Sequence, residues 1–509
     1  MATPIREVLL RWQGYSMEKQ DTSDESQRSF GRATTSVERA LDSYFGLTER
    51  RSDVRTEVLA GLTTFLTMSY IVVVNPAILA GISGEKPGIV IPGYGVAEVQ
   101  AMIAVATVLA AAAGTLVMAL YANRPFAQAP GMGLNAFFAF TVVGALGVPW
   151  QTALAAVVVE GLLFVALSAV GAREYVLSVF PKPVKFAVGT GIGLFLAIIG
   201  LQEMQVVVAD ESTLVTLGAV AADPVAMLSV VGLFLTVALY ARGVRGAIVL
   251  GLLATTVAGA VAAFVGVVEP GVLAVDAIRA GSVDLASLPS VTYDITPLAG
   301  AFVAGLSTVD PTTFALVVFM LFFVDFFNTA GALTGVAQVS DDLDENGDVP
   351  DADEALMADA VGTTVGGMLG TSTVTTYIES AAGVEEGGRT GLTALVVALL
   401  FVASLVLVPL AAAIPLYASH IAVVVVGILM FRNVVDIRWD DITHAVPAAL
   451  TILVMPFTYS IAYGIAAGIV SYPLVKLAAG EMDGTRPGHW ALAGAFVVYF
   501  YLRAGGISI

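Results

Sequence analysis

The stretch Phe126-Ala-Gln-Ala-Pro-Gly-Met-Gly-Leu-Asn-Ala-Phe-Phe138 interrupts a chain otherwise built of long apolar runs. Proline and glycine resist continuous helix, while Pro130 suits a helix start. The reading is a short extended piece followed by a half-helix from about Gly131. A second stretch, Thr371-Ser-Thr-Val-Thr-Thr-Tyr-Ile-Glu-Ser-Ala-Ala-Gly383, breaks the pattern at the corresponding place further along. Its alternating Thr, Val and Tyr residues favour a strand, and small residues follow. Two such strands can pair with each other inside the protein. Irregular backbone at membrane depth survives only when buried or lining a cavity. Each half-helix would then aim its first N–H groups at that cavity. Gly131 and Gly133 also permit close helix packing. As a nucleotide fingerprint they carry nothing, because no strand-and-helix context surrounds them.

The runs around these breaks set the fold class. Of 509 residues, 57% are hydrophobic and 13% charged, and the mean hydropathy is +0.87. Soluble domains carry about 25% charged residues, so this chain needs lipid around it. Crossing hydrocarbon as helix takes about 20 mostly apolar residues. Ala101–Tyr121, Val225–Ala241 and Ala247–Val268 are examples. A membrane barrel would instead show weak alternating stretches of about ten residues. The expected fold is therefore all-α and polytopic. Spans fall near 59–80, 101–121, 131–147, 151–171, 186–203, 225–241, 247–268, 314–335, 356–370, 380–387, 391–412, 413–431, 446–461 and 463–479, fourteen in all. The two short strands belong to broken segments 3 and 10. A last apolar stretch, Trp490–Leu502, is too short to span and reads as an interfacial helix.

Loop charges test this count. With a cytoplasmic N-terminus, the inside loops hold Arg124, Arg173, Lys182, Lys185, Arg242, Arg245, Arg389, Arg432, Arg438, Lys476 and Arg486. Outside loops hold only Lys86 and Arg279. A missed span would invert every later loop and destroy this positive-inside pattern. The expectation is an even count, both termini cytoplasmic, in the cell membrane. The expected divisions are a cytoplasmic segment 1–58, a seven-span repeat 59–268, an extracellular connection 269–313, a second seven-span repeat 314–479 and a C-terminal segment 480–509. Seven spans per half make the repeats inverted, a signature of secondary transporters.

The net charge is −18 and cysteine is absent. The acidity argues against nucleic acid as a partner and suits a surface solvated in concentrated salt, as in an extreme halophile. Without cysteine there are no disulfides, thiolate metal sites or cysteine nucleophiles. Residues 1–50 are polar and show no cleavable signal peptide. Asp342–Asp353 nearly fits a calcium loop, but its twelfth position is Asp353 rather than glutamate and Pro350 intrudes, so a solvated acidic loop is preferred. His420, His444 and His489 are far apart, which suggests neither a metal site nor a hydrolase triad. No Gly-Lys-Ser/Thr phosphate loop is present, so neither an enzyme nor an ATP-driven pump is expected, and no cofactor is implied.

Ionisable residues inside apolar runs are the sharpest functional signal. Asp325 lies in Phe322-Phe-Val-Asp-Phe-Phe-Asn-Thr-Ala-Gly331, and Glu379 follows the second break. A charged carboxylate at the bilayer centre costs at least about 2.5–3.5 kcal/mol, so each is a functional candidate by default. Asn135 follows the proline break and reads as functional. Asn328 sits one turn from Asp325 and can share its face; for it, ligand contact and a structural bond stand level. Glu160 stands equally between structural bonding and proton transfer. Asp359 reads as structural, beginning or lining a helix.

Four motifs in order carry a family resemblance. They are Thr56-Glu-Val-Leu-Ala-Gly-Leu-Thr-Thr-Phe-Leu-Thr-Met-Ser-Tyr-Ile-Val-Val-Val-Asn-Pro76, Ala129-Pro-Gly-Met-Gly-Leu-Asn-Ala136, Asp325–Gly331 and Thr376-Tyr-Ile-Glu-Ser-Ala-Ala-Gly383. Residues 40–505 resemble the AzgA-like purine permeases of the nucleobase–cation symporter-2 (xanthine/uracil permease) superfamily. The resemblance implies a core domain of spans 1–4 and 8–11 and a gate domain of spans 5–7 and 12–14. It implies import of hypoxanthine, guanine or adenine with protons, commonly by a homodimer; protons are preferred to Na⁺ as the coupling cation, and Na⁺ stays open in a salty habitat. It assigns base binding to Asp325 and Glu379, with Asn135 also important. The family often carries a second aspartate where this chain has Asn328. Carboxylates accept ring N–H bonds, and an amide both donates and accepts, which suits a purine edge. A buried acid can also carry a proton, so Asp325 and Glu379 are the candidates for proton coupling. Phe322, Phe323 and Phe137 can stack on a flat ring, but lipid- or core-facing positions are preferred. The competing function is an anion transporter or channel on the same fold.

Overall fold

A computed structural model describes residues 36–84, 86–170, 180–265, 293–307, 311–340, 352–412 and 414–504. Most of the acidic loop, most of the 269–313 connection, and Arg173 and Arg279 lie outside them. In chain order the elements are α1 (Ser36–Phe45), α2 (Val54–Met68), α3 (Ile71–Leu79), α4 (Val96–Val117), β1 (Gln128–Pro130), α5 (Met132–Ala136) and α6 (Trp150–Ala169). Next come α7 (Lys182–Glu203), β2 (Val207–Asp210), β3 (Leu214–Leu217), α8 (Pro224–Ala241), α9 (Ala247–Phe264) and α10 (Ala301–Leu306). The second half holds α11 (Pro311–Ser340), α12 (Ala352–Leu369), β4 (Val374–Thr376), α13 (Ser380–Glu385), α14 (Gly391–Ser404) and α15 (Val408–Ala412). It ends with α16 (Leu416–Met430), α17 (Ile442–Thr458), α18 (Ile461–Ala479) and α19 (Pro487–Ala504). Wider π-helical turns, Met118–Ala122 and Phe137–Ala145, extend α4 and α5.

Eight of these helical segments are long and apolar enough to cross a membrane, and four shorter apolar ones accompany them. The remaining crossings are α12, with Asp353 and Glu354 in its first turn, and the unit β4–α13. Together they account for the fourteen segments read from the sequence. Polar caps set several boundaries. Asp53 accepts the Thr56 N–H at 2.9 Å, which starts α2 at Val54, ahead of the apolar run itself. Asp223 caps α8, whose first residue is Pro224, and Asp441 caps α17.

The helices pack as two bundles. In one, α12 lies against α4 and α6, α14 against α2 and α4, and α11 against α6. In the other, α7 packs on α16 and α17, α17 on α18, and α8 and α9 on each other and on α16. The bundles meet where the Ile461 N–H reaches the Thr141 hydroxyl at 3.3 Å and where Phe140 meets Phe195 edge to face.

Equivalent elements of the two halves cross each other at glycines. A Cβ on Gly114 of α4 would lie 3.2 Å from the Gly362 Cα of α12, and the reverse holds too. A Cβ on Gly193 of α7 would lie 2.6 Å from the Gly427 carbonyl oxygen of α16, and one on Gly427 equally close to that of Gly193. Only glycine permits such backbone approach. These reciprocal contacts are what a twofold relation between inverted halves produces.

Three details differ from the sequence expectation. The connection read as 269–313 is in part built into the body: α10 packs on α6, and a Cβ on Gly305 would strike the Gln151 carbonyl. A hairpin of β2 and β3, with Val207 opposite Leu217, follows α7; it is too short and too mixed in polarity to stand out from a loop. Helix α19 begins at Pro487, earlier than the apolar stretch suggests. It buries Phe496, leaves Val497 and Tyr501 exposed, and sets Phe500 against Tyr463.

Candidate functional site

The two broken segments meet. Strands β1 and β4 pair antiparallel, with Gln128 opposite Thr376, Ala129 opposite Thr375 and Pro130 opposite Val374. Backbone bonds extend the pair on both sides, from Gly131 N–H to Thr373 O and from Tyr377 N–H to Ala127 O, each 3.0 Å. Pro130 has no N–H to give, and its carbonyl accepts from the Tyr377 hydroxyl at 2.6 Å. Two strands this short have open edges, and side chains close them. Thr115 both donates to Gln128 O and accepts from Gln128 N–H. The Gln128 amide, oriented to satisfy both its ends, donates to Gly114 O at 3.0 Å and accepts the Asp359 N–H at 3.1 Å. Buried polar groups need such partners.

Asp359 is fully buried and well satisfied. It accepts from Thr376 N–H at 2.7 Å, from the Thr376 hydroxyl at 3.0 Å and from the Thr329 hydroxyl at 2.8 Å. These bonds tie β4 to α11 and α12. A chain of donors leads to it. Asn328 donates to the Thr375 hydroxyl at 3.2 Å, and Thr375 and Thr329 share a proton at 2.7 Å. Thr329 spends its own proton on Asp359, so Thr375 must be the donor in that pair.

Asp325 is fully buried and poorly satisfied. One oxygen lies 3.3 Å from the Thr363 hydroxyl, but that hydroxyl makes a shorter bond, 2.7 Å, to Val374 O. The other oxygen has no partner. Thr375 is within reach, yet its proton is committed to Thr329. The Glu160 carboxyl of α6 also faces it within hydrogen-bonding reach.

Glu379 sits on a different side of the strand pair. It ends the turn after β4 and is only partly buried. Its carboxylate accepts from the Tyr70 hydroxyl at 2.6 Å. Tyr70 comes from the break between α2 and α3. Asn135, on the first turns of α5, is fully buried and accepts from the Ser372 hydroxyl. Asn328 is exposed although it lies one turn from buried Asp325. The strand pair thus gathers all four sequence-predicted residues, but not into a single contact. Asp325 and Asn328 meet β4 from α11, Asn135 bonds just before β4, and Glu379 lies just after it. Phe137, Phe322 and Phe323 are all buried in the core.

Sequence reading missed Tyr70, Gln128, Thr363, Thr375 and Thr376 as parts of this network. Thr and Tyr in an apolar run cost little and so give a weak signal; only the strand register makes them neighbours. Among the described residues no cluster of His, Cys, Asp or Glu has the arrangement of a metal site.

Buried acids on α6, α11 and α12, set against a pair of broken, strand-paired segments in one of two helix bundles with reciprocal contacts, fit a multi-pass membrane transporter rather than an enzyme. Residues 55–467 match the Permease family known as Xan_ur_permease, and the chain belongs to that xanthine/uracil permease family. It is 41% identical over 463 residues to the guanine/hypoxanthine permease PbuO of Bacillus subtilis, covering 90% of this chain and 99% of that protein. It is 38% identical over 458 residues to the adenine permease AdeP of Escherichia coli, covering 89% and 94%. Its fold is similar to the transmembrane domain of the cyanobacterium bicarbonate transporter BicA, with a TM-score of 0.54 at 14% identity over 81% of this chain and 97% of that one. That likeness concerns the fold alone.

Proposed function

We propose that this permease imports purine nucleobases (hypoxanthine, guanine or adenine) by alternating access coupled to proton entry. The observation that carries the reading is the acid-and-amide lining of the β1–β4 pair, taken with the purine specificity of the relatives PbuO and AdeP. Glu379 is partly open and anchored by Tyr70; it accepts ring N–H groups. Asn328, exposed on α11, presents an amide edge. Asp325 and Asn135 stand behind the strands and complete the base site, and Asp325 and Glu379 carry the proton. A dry site that leaves a base donor unpaired costs about 1–3 kcal/mol, which yields selectivity.

In this reading the bundle holding α2, α4, α6, α11, α12 and α14 is the core, and it shifts against the other bundle, the gate. The repeats are 59–268 and 314–479, both termini face the cytoplasm of the cell membrane, and the working unit is a homodimer. The acidic surface supports operation in concentrated salt.

Labelled hypoxanthine uptake in a purine-transport-deficient host tests the proposal. Accumulation that collapses with the proton gradient is expected. Sulfate uptake in its place, or a well-folded protein that takes up no purine, would refute it. Asp325→Ala and Glu379→Ala should each weaken base binding about tenfold or more. Retained affinity in both would refute the site assignment.

A further inference from the structure

Glu160 is fully buried on α6, and neither carboxyl oxygen has a hydrogen-bond partner. It faces Asp325 of α11 within hydrogen-bonding reach, and Asp325 also has a carboxyl oxygen without a partner. Rings seal the contact. Phe164, one turn beyond Glu160, packs edge to face on Phe322 at 5.5 Å and against Phe326 at 5.7 Å, and these two flank Asp325 on α11. Gly161 lets α6 come close to α12, where a Cβ would sit 2.5 Å from the Thr364 hydroxyl oxygen.

No base acts on either acid; besides α6 and α12, α11 meets α5, α7, α13 and β4, whose titratable residues are Lys182, Lys185 and Glu203 toward the ends of α7 and Glu385 on α13. The elements packed against α6 are α10, α11, α12 and the π-helical turns Phe137–Ala145. Their titratable residues are Asp325 from α11 and Asp353, Glu354 and Asp359 from α12, all acids, and α6 itself adds only Glu160. Asp359 also faces Glu160 electrostatically, and its oxygens are already filled by Thr329 and Thr376. Two bare carboxylates in contact have four acceptor oxygens and no donor. A proton placed between them supplies the donor and removes one of the two like charges, as in paired carboxyls elsewhere.

We infer that Glu160 and Asp325 hold one proton between them, and that Asp325 does its share of the proton coupling proposed above as half of this pair, with Glu160 making no contact to the base. The step is a proton transfer only. Water delivers H⁺ to the pair when the site opens to one side, and the pair returns it to water on the other. Both acids belong to one bundle, so the proton travels with the site. The coupling role rests on the permease reading above; the shared proton does not.

Two measurements on the full-length protein in lipid keep these apart. In infrared difference spectra the wild type at neutral pH should show a protonated-carboxyl C=O band that is lost in both Asp325→Asn and Glu160→Gln, where the new amide donates to the remaining carboxylate. A wild type without that band overturns the shared proton, whatever the substrate. In proteoliposomes, Glu160→Gln should still exchange labelled hypoxanthine across the membrane. Its concentrative uptake under an imposed proton gradient should fall by at least about tenfold, a loss of about 1.4 kcal/mol of coupling. Its base affinity should no longer vary with pH. Wild-type-like concentrative uptake in Glu160→Gln, or accumulation driven by a sodium gradient and indifferent to pH, overturns the coupling role. Should Glu160→Gln fail to fold, Glu160→Asp decides: normal proton-driven uptake with no carboxyl band also overturns it. If the band is present and the wild type neither binds nor exchanges purines, the base assignment fails and the proton pair stands.

Discussion

Two buried glutamates, Glu57 and Glu160, and a half-buried one, Glu379, sit in apolar surroundings, and their partners distinguish them. Glu57 on α2 is saturated: it accepts from the N–H groups of Arg389, Thr390 and Thr393 and from the Thr393 hydroxyl at 2.5 Å. It caps the start of α14 from across the bundle, filling donors that a helix N-terminus leaves open. Glu379 has one strong partner and an open side. Glu160 has only another acid. A carboxylate with four donors is a structural device, one with a single donor and solvent is available to a ligand, and one facing an acid needs a proton. Glu57→Ala should therefore lower stability by about 3 kcal/mol, because it strands several buried donors at once. Thermal unfolding in detergent checks this. Glu57→Gln keeps one acceptor oxygen and should lose less; equal stability of the alanine variant and the wild type would contradict the capping role.

At the scale of elements, the β1–β4 pair is too short to stand alone. It is held by the helices that pass beside it, above all where α4 crosses α12. Gly362 leaves room for the Gln128 amide, which a Cβ there would approach to 2.9 Å, and for Val374 of β4 at 3.2 Å. Gly362→Val should push these helices apart and displace β1, with an overpacking cost of about 1–3 kcal/mol. The expected result is a lower unfolding temperature together with lost base binding. Unfolding curves and a binding isotherm measured on one preparation would show it. A variant with unchanged affinity would mean that the strands do not depend on this crossing.

Across the whole molecule, one apolar core runs through both bundles, and the proposed alternating access requires them to move against each other across it. Thr141 lies on one bundle and Ser460, one residue before the Ile461 N–H that bonds it, on the other. The chain has no native cysteine, so Thr141→Cys with Ser460→Cys gives a clean crosslinking background. Oxidation should trap the present arrangement and stop transport, and reduction should restore it. Full transport by a crosslinked protein would exclude relative motion at this contact. Uptake counts and mobility on a denaturing gel provide the two readings.

The sequence by itself determined the membrane class, the order of fourteen segments, the two breaks and the candidate acids at Asp325 and Glu379. Each rests on local chemistry. Apolar runs have a minimum length to cross lipid, proline and glycine end helices, and a buried charge is expensive wherever it occurs. The family was legible too, because its motifs are contiguous along the chain. Only the tertiary structure decided who satisfies whom. Asp359 and Glu160 look alike in sequence, as isolated acids on apolar helices. Yet Asp359 meets a threonine from α11 and a strand N–H, while Glu160 meets Asp325. Those partners lie 17 or more residues away, and the strand register and the glycine crossings bring them together. Hydrogen-bond satisfaction is a property of neighbours in space, and linear spacing does not encode it.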